Sequence, residues 1–424
     1  MDKSKVDYSV YLVTDSTPAI LGTKDLVRVV EAAVRGGVSI VQYRDKHSDR
    51  QTAVQTARKL LEVTRRFGVP LLVNDRVDVA VEVGCEGVHI GQDDMAYEEA
   101  RKLLGPDKII GVTASSVDEA LAACKAGADY LGLGTVYATP TAAPQKSLDG
   151  IAVVSALVAA DDPAAAARDL LAKVVTGRVP DVLRAVAETT PLSHNMTNLV
   201  VQNFAANVAL AVGASPIMAN YAEEAADLAK LGGALVINMG TVTPDGLKNH
   251  IQAIQAYNAA GGPVVLDPVG NTSSSIVQRG VDSSSTLSIP QRAALAKSVS
   301  RSTGAVVVLT GKTDIVSDGV RTLRIDNGHE YLGRVTGTGC TLGTTLSAMV
   351  AAFRGKSPLV AAVAGLVMYE IAAERASVRD DVRGPGTFVP AFLDELSALR
   401  EETVRGDVKW LAGAKVEAVE VEEE

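Results

Sequence analysis

The sequence is poor in several features, and each shortage excludes a class of protein. Among 424 residues there are only three cysteines, Cys85, Cys124 and Cys340, which lie far apart. We therefore expect no disulfide framework and a reducing compartment. The net charge of −9 comes without a basic stripe, which argues against nucleic-acid binding. No apolar run reaches membrane-spanning length and the first residues carry no targeting pattern, so we expect a cytoplasmic protein without nucleic-acid or membrane partners.

What is present is an alternation of strands and helices. Apolar residues make up 47% of the chain and charged residues 21%, as in globular proteins of two or three domains. In the first 175 residues, short β-branched strands end in polar residues and amphipathic helices follow, which indicates a parallel sheet covered on both faces. The predicted strands are residues 8–15, 38–46, 70–75, 87–94, 108–114, 128–139 and 148–158.

The last two of these strands are separated only by residues 140–147. Parallel neighbours need a crossover of about a dozen residues or more, normally a helix. Seven strands are one fewer than the eight that close a (β/α)₈ barrel. The sequence therefore predicts an incomplete TIM-type barrel with seven of its eight strands.

A second α/β region follows an interruption by Gly and Pro at residues 176–182. Its predicted strands are residues 234–240, 263–270 and 305–312. The Ser-rich residues 271–288 show no periodicity, and a structureless stretch of this length would be unusual inside a compact domain. The predicted domains are residues 1–177 and 178–405, and residues 406–424 are expected to form a disordered acidic tail.

Polar side chains follow several barrel strands at their carboxyl ends, where functional groups gather in such barrels. Carboxylates hold Mg²⁺ through one or two oxygens and Arg or Lys binds phosphate charge, so the set suits a Mg²⁺–diphosphate ligand. The alternative is that strands end in polar residues because they stop where water begins. The polar residues at these strand ends are Gln42, Arg44, Lys46, Asn74, Asp75, Asp93, Asp94 and Thr113.

Four segments in the first half, "VQYRDK", "LLVNDRVDVA", "GVHIGQDD" and "ADYLGLGTVYATPT", resemble the signatures of thiamine phosphate synthase, in order, over nearly all of residues 8–170. The resemblance implies Mg²⁺-dependent condensation of 4-amino-2-methyl-5-(diphosphooxymethyl)pyrimidine with 4-methyl-5-(2-phosphooxyethyl)thiazole. It implies binding of the pyrimidine diphosphate by Gln42, Tyr43, Arg44, Asp45, Lys46, Asn74 and Thr113, with Thr113 where the family usually has Ser. It implies Mg²⁺ ligands at Asp75 and Asp94, and thiazole phosphate contacts at Thr139, Thr141, Val154 and Ser155.

In the second half, a Gly-rich turn, "RVTGTGC", directly precedes a helix. Backbone N–H groups at such a helix start form an anion site suited to a phosphoryl group. Cys340 lies at this helix start, where the same field would acidify its thiol; the alternative is a small buried apolar residue.

The segments "PLSHNMTNLVVQNFAANVALAVGASPIMA", "ALVINMGTVTPDGL", "PVVLDPVG", "VVLTGKTDIVSDG" and "RGPGTFVPAFLDEL" resemble hydroxyethylthiazole kinase, as does the Gly-rich turn. The resemblance implies a ribokinase-like domain, usually trimeric, that phosphorylates 4-methyl-5-(2-hydroxyethyl)thiazole with ATP. It places Met218 and Gly337 at the thiazole, Thr310 at ATP and Cys340 where relatives carry a catalytic Asp. Asp267 is either a charged group near the metal or a cap at the strand end.

Each half lacks a segment of its family's pattern. Between "ATPT" and "SLDG" the family has a Lys-containing loop, two helices and a strand ending in Gly-Gly, whereas this chain has "AAPQK". Within "AAPQK", Lys146 is the residue that could stand in for the missing lysine. After "DPVG", "NTSSSIVQRG" replaces a segment that contributes to ATP and Mg²⁺ binding, and Arg279 is the nearby cation.

The order of the two halves resembles bifunctional fungal thiamine-biosynthesis enzymes, and our main hypothesis is that pair of reactions. The alternative is a catalytically impaired chain that binds ligands or assembles with intact subunits. We assign no role to His89, His194 or His250.

Overall fold

The computed structural model describes residues 2–133, 149–269, 276–279, 282–285 and 287–421. The chain divides into two compact units, Met1–Val174 and Val175–Glu424. Across the described residues, none of the helices has both the length and the apolar character needed to cross a membrane.

Among its described residues, the first unit contains one parallel sheet of seven strands in the order β6-β5-β4-β3-β2-β1-β7. This confirms the prediction of an incomplete barrel with seven strands. The strands are β1 (Val10–Val13), β2 (Ile40–Tyr43), β3 (Leu71–Asn74), β4 (Gly87–Ile90), β5 (Ile109–Ala114), β6 (Tyr130–Leu133) and β7 (Ile151–Val153). The edge strands are β6 and β7, and residues 134–148 between them lie outside the described part of the chain.

Helices follow the strands of this unit. Their starts are set by side-chain caps: Asp25 and Asp49 accept hydrogen bonds from the first turns of α2 and α3, and Ser116 does the same for α6. The helices are α1 (Pro18–Leu21), α2 (Leu26–Arg35), α3 (Arg50–Arg66), α4 (Val77–Val83), α5 (Tyr97–Leu104), α6 (Val117–Ala126), α7 (Ser155–Val158) and α8 (Pro163–Gly177), whose last three residues belong to the second unit.

Alternation along the strands sends side chains to two different layers. An inward cluster is formed by Tyr11, Ile40, Leu72 and Ile109, with Tyr130 packed against it. Their neighbours along the strands point to the other face of the sheet, as the period of two requires. The inward-facing residues at the carboxyl ends are therefore the ones placed to form a site.

The prediction of one strand over residues 148–158 was wrong. Only Ile151–Val153 is a strand, and Ser155–Val158 is a short helix. The backbone leaves the extended region at Val154, whose φ and ψ are −113° and −83°. A continuous apolar run does not by itself distinguish a strand from a buried helical turn.

The second unit contains a parallel sheet of order β11-β10-β8-β9 and an antiparallel sheet of order β14-β15-β16-β17. The strands of the parallel sheet are β8 (Leu192–Met196), β9 (Ser215–Ile217), β10 (Ala234–Asn238) and β11 (Val264–Asp267). Those of the antiparallel sheet are β14 (Val307–Leu309), β15 (Asp314–Ser317), β16 (Thr322–Ile325) and β17 (Val416–Ala418).

Two helices of this unit are largely buried. Of these, α15 is buried over most of its length, and α14 is buried along the face that packs on the parallel sheet. The helices are α9 (Val179–Thr189), α10 (Gln202–Val212), α11 (Ala222–Lys230), α12 (Pro244–Ala259), α13 (Ile289–Thr303), α14 (Thr338–Ala352), α15 (Pro358–Ser377) and α16 (Pro385–Val404).

Two segments in which the sequence predicted no strand contain one, and the expectation of a disordered acidic tail was wrong. Within the Ser-rich segment, β12 (Ile276–Arg279) and β13 (Asp282–Ser285) form an antiparallel ladder. In the expected acidic tail, β17 pairs with β16, and Trp410 is buried with its indole nitrogen donating to Thr403 at 3.0 Å. Apolar residues alternate with Glu in the tail, so one face of the strand can pack while the charged face stays in water.

Candidate functional site

Two carboxylates mark one corner of the barrel site. The backbone of Asp75 has a positive φ of 54°, and its N–H donates to the carbonyl of His89 at 2.8 Å. Burial, and then the negative charge of Asp94, raises the pKa of Asp75, with Lys46 acting in the opposite direction. The two carboxylates are thus close enough to repel each other, and a cation between them would relieve that repulsion.

The residues fit a metal ion that keeps water and phosphate ligands. Among the described residues, no group of three or more His, Cys, Asp or Glu side chains could hold a metal ion. Mg²⁺ is commonly bound by only one or two carboxylates plus substrate phosphates. Asp75 and Asp94 match that requirement.

A small pocket of about 90 Å³ lies beside this corner, after β1 and β2. Arg44 reaches Asp15 at 3.5 Å and remains partly exposed, and Lys46 is exposed. Burial works against ionisation of Asp45, but hydrogen bonds from the N–H groups of His47 and Ser48 keep its pKa below the usual value. Asp45 therefore shapes the loop that presents the two cations.

Tyr43 lies on the opposite face from Gln42. The Tyr43 side chain is almost fully buried, and its hydroxyl donates to Asp45 at 3.2 Å. Burial raises the pKa of Tyr43 to about 12, and Thr56 of α3 hydrogen-bonds to it. Because β2 alternates, the structure does not bring Tyr43 to the mouth with Gln42, contrary to the ligand contact predicted from the motif.

A continuous chain of hydrogen-bonded side chains crosses the barrel interior, and six strands each contribute one residue to it. We call it the interior chain. Its links are Thr113 Oγ1–His89 Nε2 (2.7 Å), His89 Nδ1–Tyr130 Oη (2.8 Å), Tyr130 Oη–Tyr11 Oη (2.7 Å), Tyr11 Oη–Gln42 Oε1 (3.0 Å), Gln42 Nε2–Asn74 Oδ1 (2.6 Å) and Asn74 Nδ2–Asp75 Oδ2 (2.8 Å).

Glycines make room for the rings of this chain. A Cβ on Gly111 would overlap the Tyr130 ring, and one on Gly132 would lie 2.9 Å from His89 Cε1. Burial lowers the pKa of His89 to about 4, so its imidazole is neutral at neutral pH. Four predicted ligand residues, Gln42, Asn74, Asp75 and Thr113, are thus joined through three residues that sequence reasoning left out.

The predicted thiazole phosphate residues are only partly described. Thr139 and Thr141 lie outside the described residues, as does Lys146. Val154 and Ser155 follow β7, and Ser155 begins α7.

In the second unit, four polar residues from three strand ends and one helix start lie together. Asn198 donates to Asn238 Oδ1 at 2.9 Å and to Cys340 Sγ at 3.5 Å, and Asn238 donates to Asp267 Oδ2 at 2.6 Å. Burial raises the pKa values of both Asp267 and Cys340. The expectation that the helix start acidifies Cys340 was therefore wrong, because burial of the thiol outweighs the field of the helix.

Gly337 is the N-cap of α14 and has a φ of 94°, which favours glycine. A Cβ at this position would lie 2.5 Å from Val201 Cγ1. Met218 is half-buried just after β9, and Thr310 is exposed just after β14, where its carbonyl accepts from Arg292 at 3.1 Å.

Sequence reasoning missed five polar residues of the two sites. In the barrel, Tyr11, His89 and Tyr130 lie at inward positions of predicted strands, and that alternation was a usable signal. In the second unit, Asn198 and Asn238 follow or end strands β8 and β10 within quoted family segments. Their roles depend on side chains from distant parts of the chain, which periodicity does not report.

Comparisons with known proteins match the two halves of the chain to two different families. The family model described as "Thiamine monophosphate synthase" matches residues 10–167, and that described as "Hydroxyethylthiazole kinase family" matches residues 183–278 and 271–402. The "Probable thiamine biosynthetic bifunctional enzyme" of Schizosaccharomyces pombe is 34% identical over 521 aligned positions, covering 99% of this chain and 100% of the relative. The "Thiamine biosynthetic bifunctional enzyme" of Saccharomyces cerevisiae is 31% identical over 540 positions, covering 97% and 99%.

Solved structures similar to each half are also found. A hydroxyethylthiazole kinase protein from Pyrococcus horikoshii OT3 is 34% identical, with a TM-score of 0.49, and covers 57% of this chain and 100% of that one. A thiamine phosphate pyrophosphorylase from Pyrococcus furiosus is 30% identical, with a TM-score of 0.36, and covers 40% and 98%. On the near-complete match to the two yeast proteins, this chain belongs to the family of bifunctional thiamine-biosynthetic enzymes, in which a thiamine phosphate synthase domain precedes a hydroxyethylthiazole kinase domain.

Proposed function

We propose that the chain makes thiamine phosphate in two steps. The second unit transfers the γ-phosphoryl group of ATP to the hydroxyl of 4-methyl-5-(2-hydroxyethyl)thiazole. The first unit joins the resulting phosphate to 4-amino-2-methyl-5-(diphosphooxymethyl)pyrimidine. The match over almost the whole length of two bifunctional relatives supports this interpretation over a chain that only binds ligands.

The observation that carries the synthase half is the arrangement at the barrel mouth. Asp75 and Asp94 lie close together, and Lys46 is near enough to affect the pKa of Asp75. In our proposal these carboxylates hold Mg²⁺, which supplies positive charge to the diphosphate. Arg44 and Lys46 bind its remaining oxygens, and Gln42, Asn74 and Thr113 bind the pyrimidine. The bond from the pyrimidine methylene carbon to diphosphate oxygen breaks with its electron pair on oxygen, and the thiazole nitrogen bonds to that carbon.

The kinase half uses the Gly-rich turn and the polar cluster beside it. The N–H groups at the start of α14 are suited to the transferring phosphoryl group. Because burial raises the pKa of Cys340, its thiol keeps its proton at neutral pH. We place this thiol beside the hydroxyl group of the substrate. Asp267 is the nearby carboxyl group, and we assign it the hydroxyl proton. We place Met218 and Gly337 at the thiazole and Thr310 at ATP.

Some features of the proposal come from the families alone. Thr139, Thr141, Val154 and Ser155 are the proposed contacts of the thiazole phosphate. A trimer-based homo-oligomer is proposed for the kinase half, and light scattering on the purified chain measures it. The described cysteines are all free thiols, which is compatible with the cytoplasmic location that we propose.

The test is a pair of assays on the purified chain. One contains the pyrimidine diphosphate, the thiazole phosphate and Mg²⁺; the other replaces the thiazole phosphate with the thiazole alcohol and ATP. We expect thiamine phosphate in both. Asp75→Asn should lower the synthase rate at least about tenfold by removing a metal charge, whereas Asp107→Asn, an exposed carboxylate before β5, should not. Product in neither assay from a folded protein would overturn the proposal.

A further inference from the structure

The interior chain of the barrel ends on a group that fixes its direction. At this end the Asn74 amide nitrogen, which can only donate, faces Asp75 Oδ2 at 2.8 Å. The Asn74 carbonyl oxygen then faces Gln42 and accepts from the Gln42 amide nitrogen. The Gln42 carbonyl oxygen is left facing Tyr11, whose hydroxyl must donate to it.

The order of hydrogen-bond donors and acceptors continues through the aromatic residues. A phenol has one proton, and that of Tyr11 is used at Gln42, so Tyr130 donates to Tyr11. The proton of Tyr130 is then used in turn, and His89 Nδ1 must carry the hydrogen that faces Tyr130. The neutral imidazole has one N–H, so its Nε2 is an acceptor, and the hydroxyl of Thr113 donates to it.

We propose that Tyr11 and Tyr130 are positioning residues that hold His89 in the Nδ1–H tautomer. His89 in turn positions Thr113, because its Nε2 accepts the hydrogen bond that the Thr113 hydroxyl donates. Thr113 consequently offers only lone pairs to the substrate. It accepts a hydrogen bond from an N–H donor such as the amino group of the pyrimidine, and it disfavours a ligand with an acceptor there. This consequence rests on the proposed synthase function, whereas the tautomer does not.

The glycines of β5 and β6 support a built arrangement. Gly111 leaves the space that the Tyr130 ring occupies, and Gly132 leaves space beside His89. The rings of Tyr130 and Tyr11 meet edge to face with centroids 5.8 Å apart, and the ring of Tyr8 lies 4.9 Å from that of Tyr130. Packing therefore fixes the rings of both tyrosines of the interior chain, and their hydroxyl groups are hydrogen-bonded to each other.

The test measures the tautomer directly, in the full chain and without substrate. Selective ¹⁵N labelling of the five histidine rings distinguishes Nδ1–H from Nε2–H, and His89→Gln identifies the His89 signals by their loss. Wild-type His89 should be the Nδ1–H tautomer.

Removing one hydroxyl should reverse the tautomer. In Tyr11→Phe, Tyr130 loses its acceptor and can donate to His89 Nδ1, so that Nε2–H forms and donates to Thr113. In Tyr130→Phe, Nδ1 loses its partner and the same change follows. Tyr8→Phe is the matched control, because it removes a phenol hydroxyl from the same aromatic group outside the interior chain, and it should keep Nδ1–H.

Kinetics add a second readout. Tyr11→Phe, which changes no group placed in contact with substrate, should raise KM for the pyrimidine diphosphate about tenfold, since Thr113 now presents its proton. Nε2–H in the wild type, or an unchanged tautomer in both phenylalanine variants, would overturn the proposal. A wild-type Nδ1–H that reverses as expected in an inactive protein would support the network and count against the proposed function alone.

Discussion

At the scale of single residues, the site depends on positions that carry no functional group. Gly111 of β5 pairs with Tyr130 of β6 in the parallel ladder. A methyl group at position 111 would enter the space of the Tyr130 ring. The absence of a side chain there is therefore what allows the phenol to reach both Tyr11 and His89.

Gly111→Ala should destabilise the barrel, because the Tyr130 ring must move and its two hydrogen bonds must change. We expect the free energy of unfolding to fall by about 1–3 kcal/mol, as for other overpacked interior sites. Urea unfolding followed by circular dichroism measures it. Gly177→Ala is the control: a Cβ there meets no atom within 4 Å, so its effect should be neutral or slightly stabilising. Identical curves for Gly111→Ala and the wild type would show that the ring is not confined.

The charged residues of the candidate site were the easier ones to predict from the sequence. Asp75, Asp94, Arg44 and Lys46 follow strand ends, and the topology of a parallel barrel brings those ends together. Tyr43 was misplaced because a motif lists neighbours in sequence, whereas a strand sends them to opposite faces. The link from Tyr130 to Tyr11 joins residues that are 119 positions apart, and no local pattern encodes it.

At the scale of elements, the packing of α15 on the antiparallel sheet buries two acids. Glu370 of α15 and Asp314 at the start of β15 are both almost fully buried. Burial raises the pKa of both groups, and the neighbouring carboxyl of Asp314 raises that of Glu370 further, so we expect the pair to share a proton in the folded protein. Within the described residues, Glu370 Oε2 has no hydrogen-bond partner. The other charged groups around the pair are Asp326, Glu374, Arg292 and Lys415.

This pair predicts that the second unit loses stability as the pH rises. The folded protein keeps a proton that the unfolded chain releases above the ordinary carboxyl pKa, so the free energy of unfolding falls with rising pH until the folded pKa is passed. Glu370→Gln should flatten this dependence, because the amide donates to Asp314 without a titrating proton. At pH 8 the variant should be more stable than the wild type by about 1–3 kcal/mol, since each unit of difference between the folded and unfolded pKa is worth about 1.4 kcal/mol.

The chain offers a selective probe for this measurement. Trp410 is the single tryptophan and is buried in the second unit, so its fluorescence during urea unfolding follows that unit. Glu330→Gln is the control: this acid is exposed, its pair with Arg334 lies on the surface, and such pairs contribute at most about 1 kcal/mol. A pH dependence that is equal in the wild type and in Glu370→Gln would contradict the shared proton.

Elements were predicted well where strands and helices alternate and poorly where the chain departs from that pattern. All seven barrel strands were anticipated, although the last was predicted too long, because each carries its own short apolar run. Strands β8 and β9 were missed because they contain polar or proline residues. The pairing of β17 with β16 was missed because an acidic composition hid the alternation of Val and Glu.

At the scale of the whole molecule, the comparisons locate what the chain lacks. The alignments to the two yeast relatives span 521 and 540 positions, whereas this chain has 424 residues. The kinase family model matches in two pieces that overlap at residues 271–278, where the sequence departs from the family pattern. The other departure lies between β6 and β7, the two edge strands of the seven-stranded sheet. Both departures are visible from the sequence alone.

Because the product of the kinase half is the substrate of the synthase half, two defective chains should complement each other in solution. Asp75→Asn should still convert the thiazole alcohol to its phosphate while making little thiamine phosphate. Asp267→Asn should do the opposite: it should slow phosphorylation at least about tenfold by removing the carboxylate assigned to the substrate proton, and still use supplied thiazole phosphate.

Mixed in equal amounts with the thiazole alcohol, ATP, Mg²⁺ and the pyrimidine diphosphate, the two variants should restore thiamine phosphate formation, since the phosphorylated thiazole diffuses from one chain to the other. Asp107→Asn in place of either variant controls for the total amount of protein. If each variant keeps its remaining reaction but the mixture makes no product, the intermediate does not pass through solution, and the fusion of the two units would then be required for the sequence of reactions.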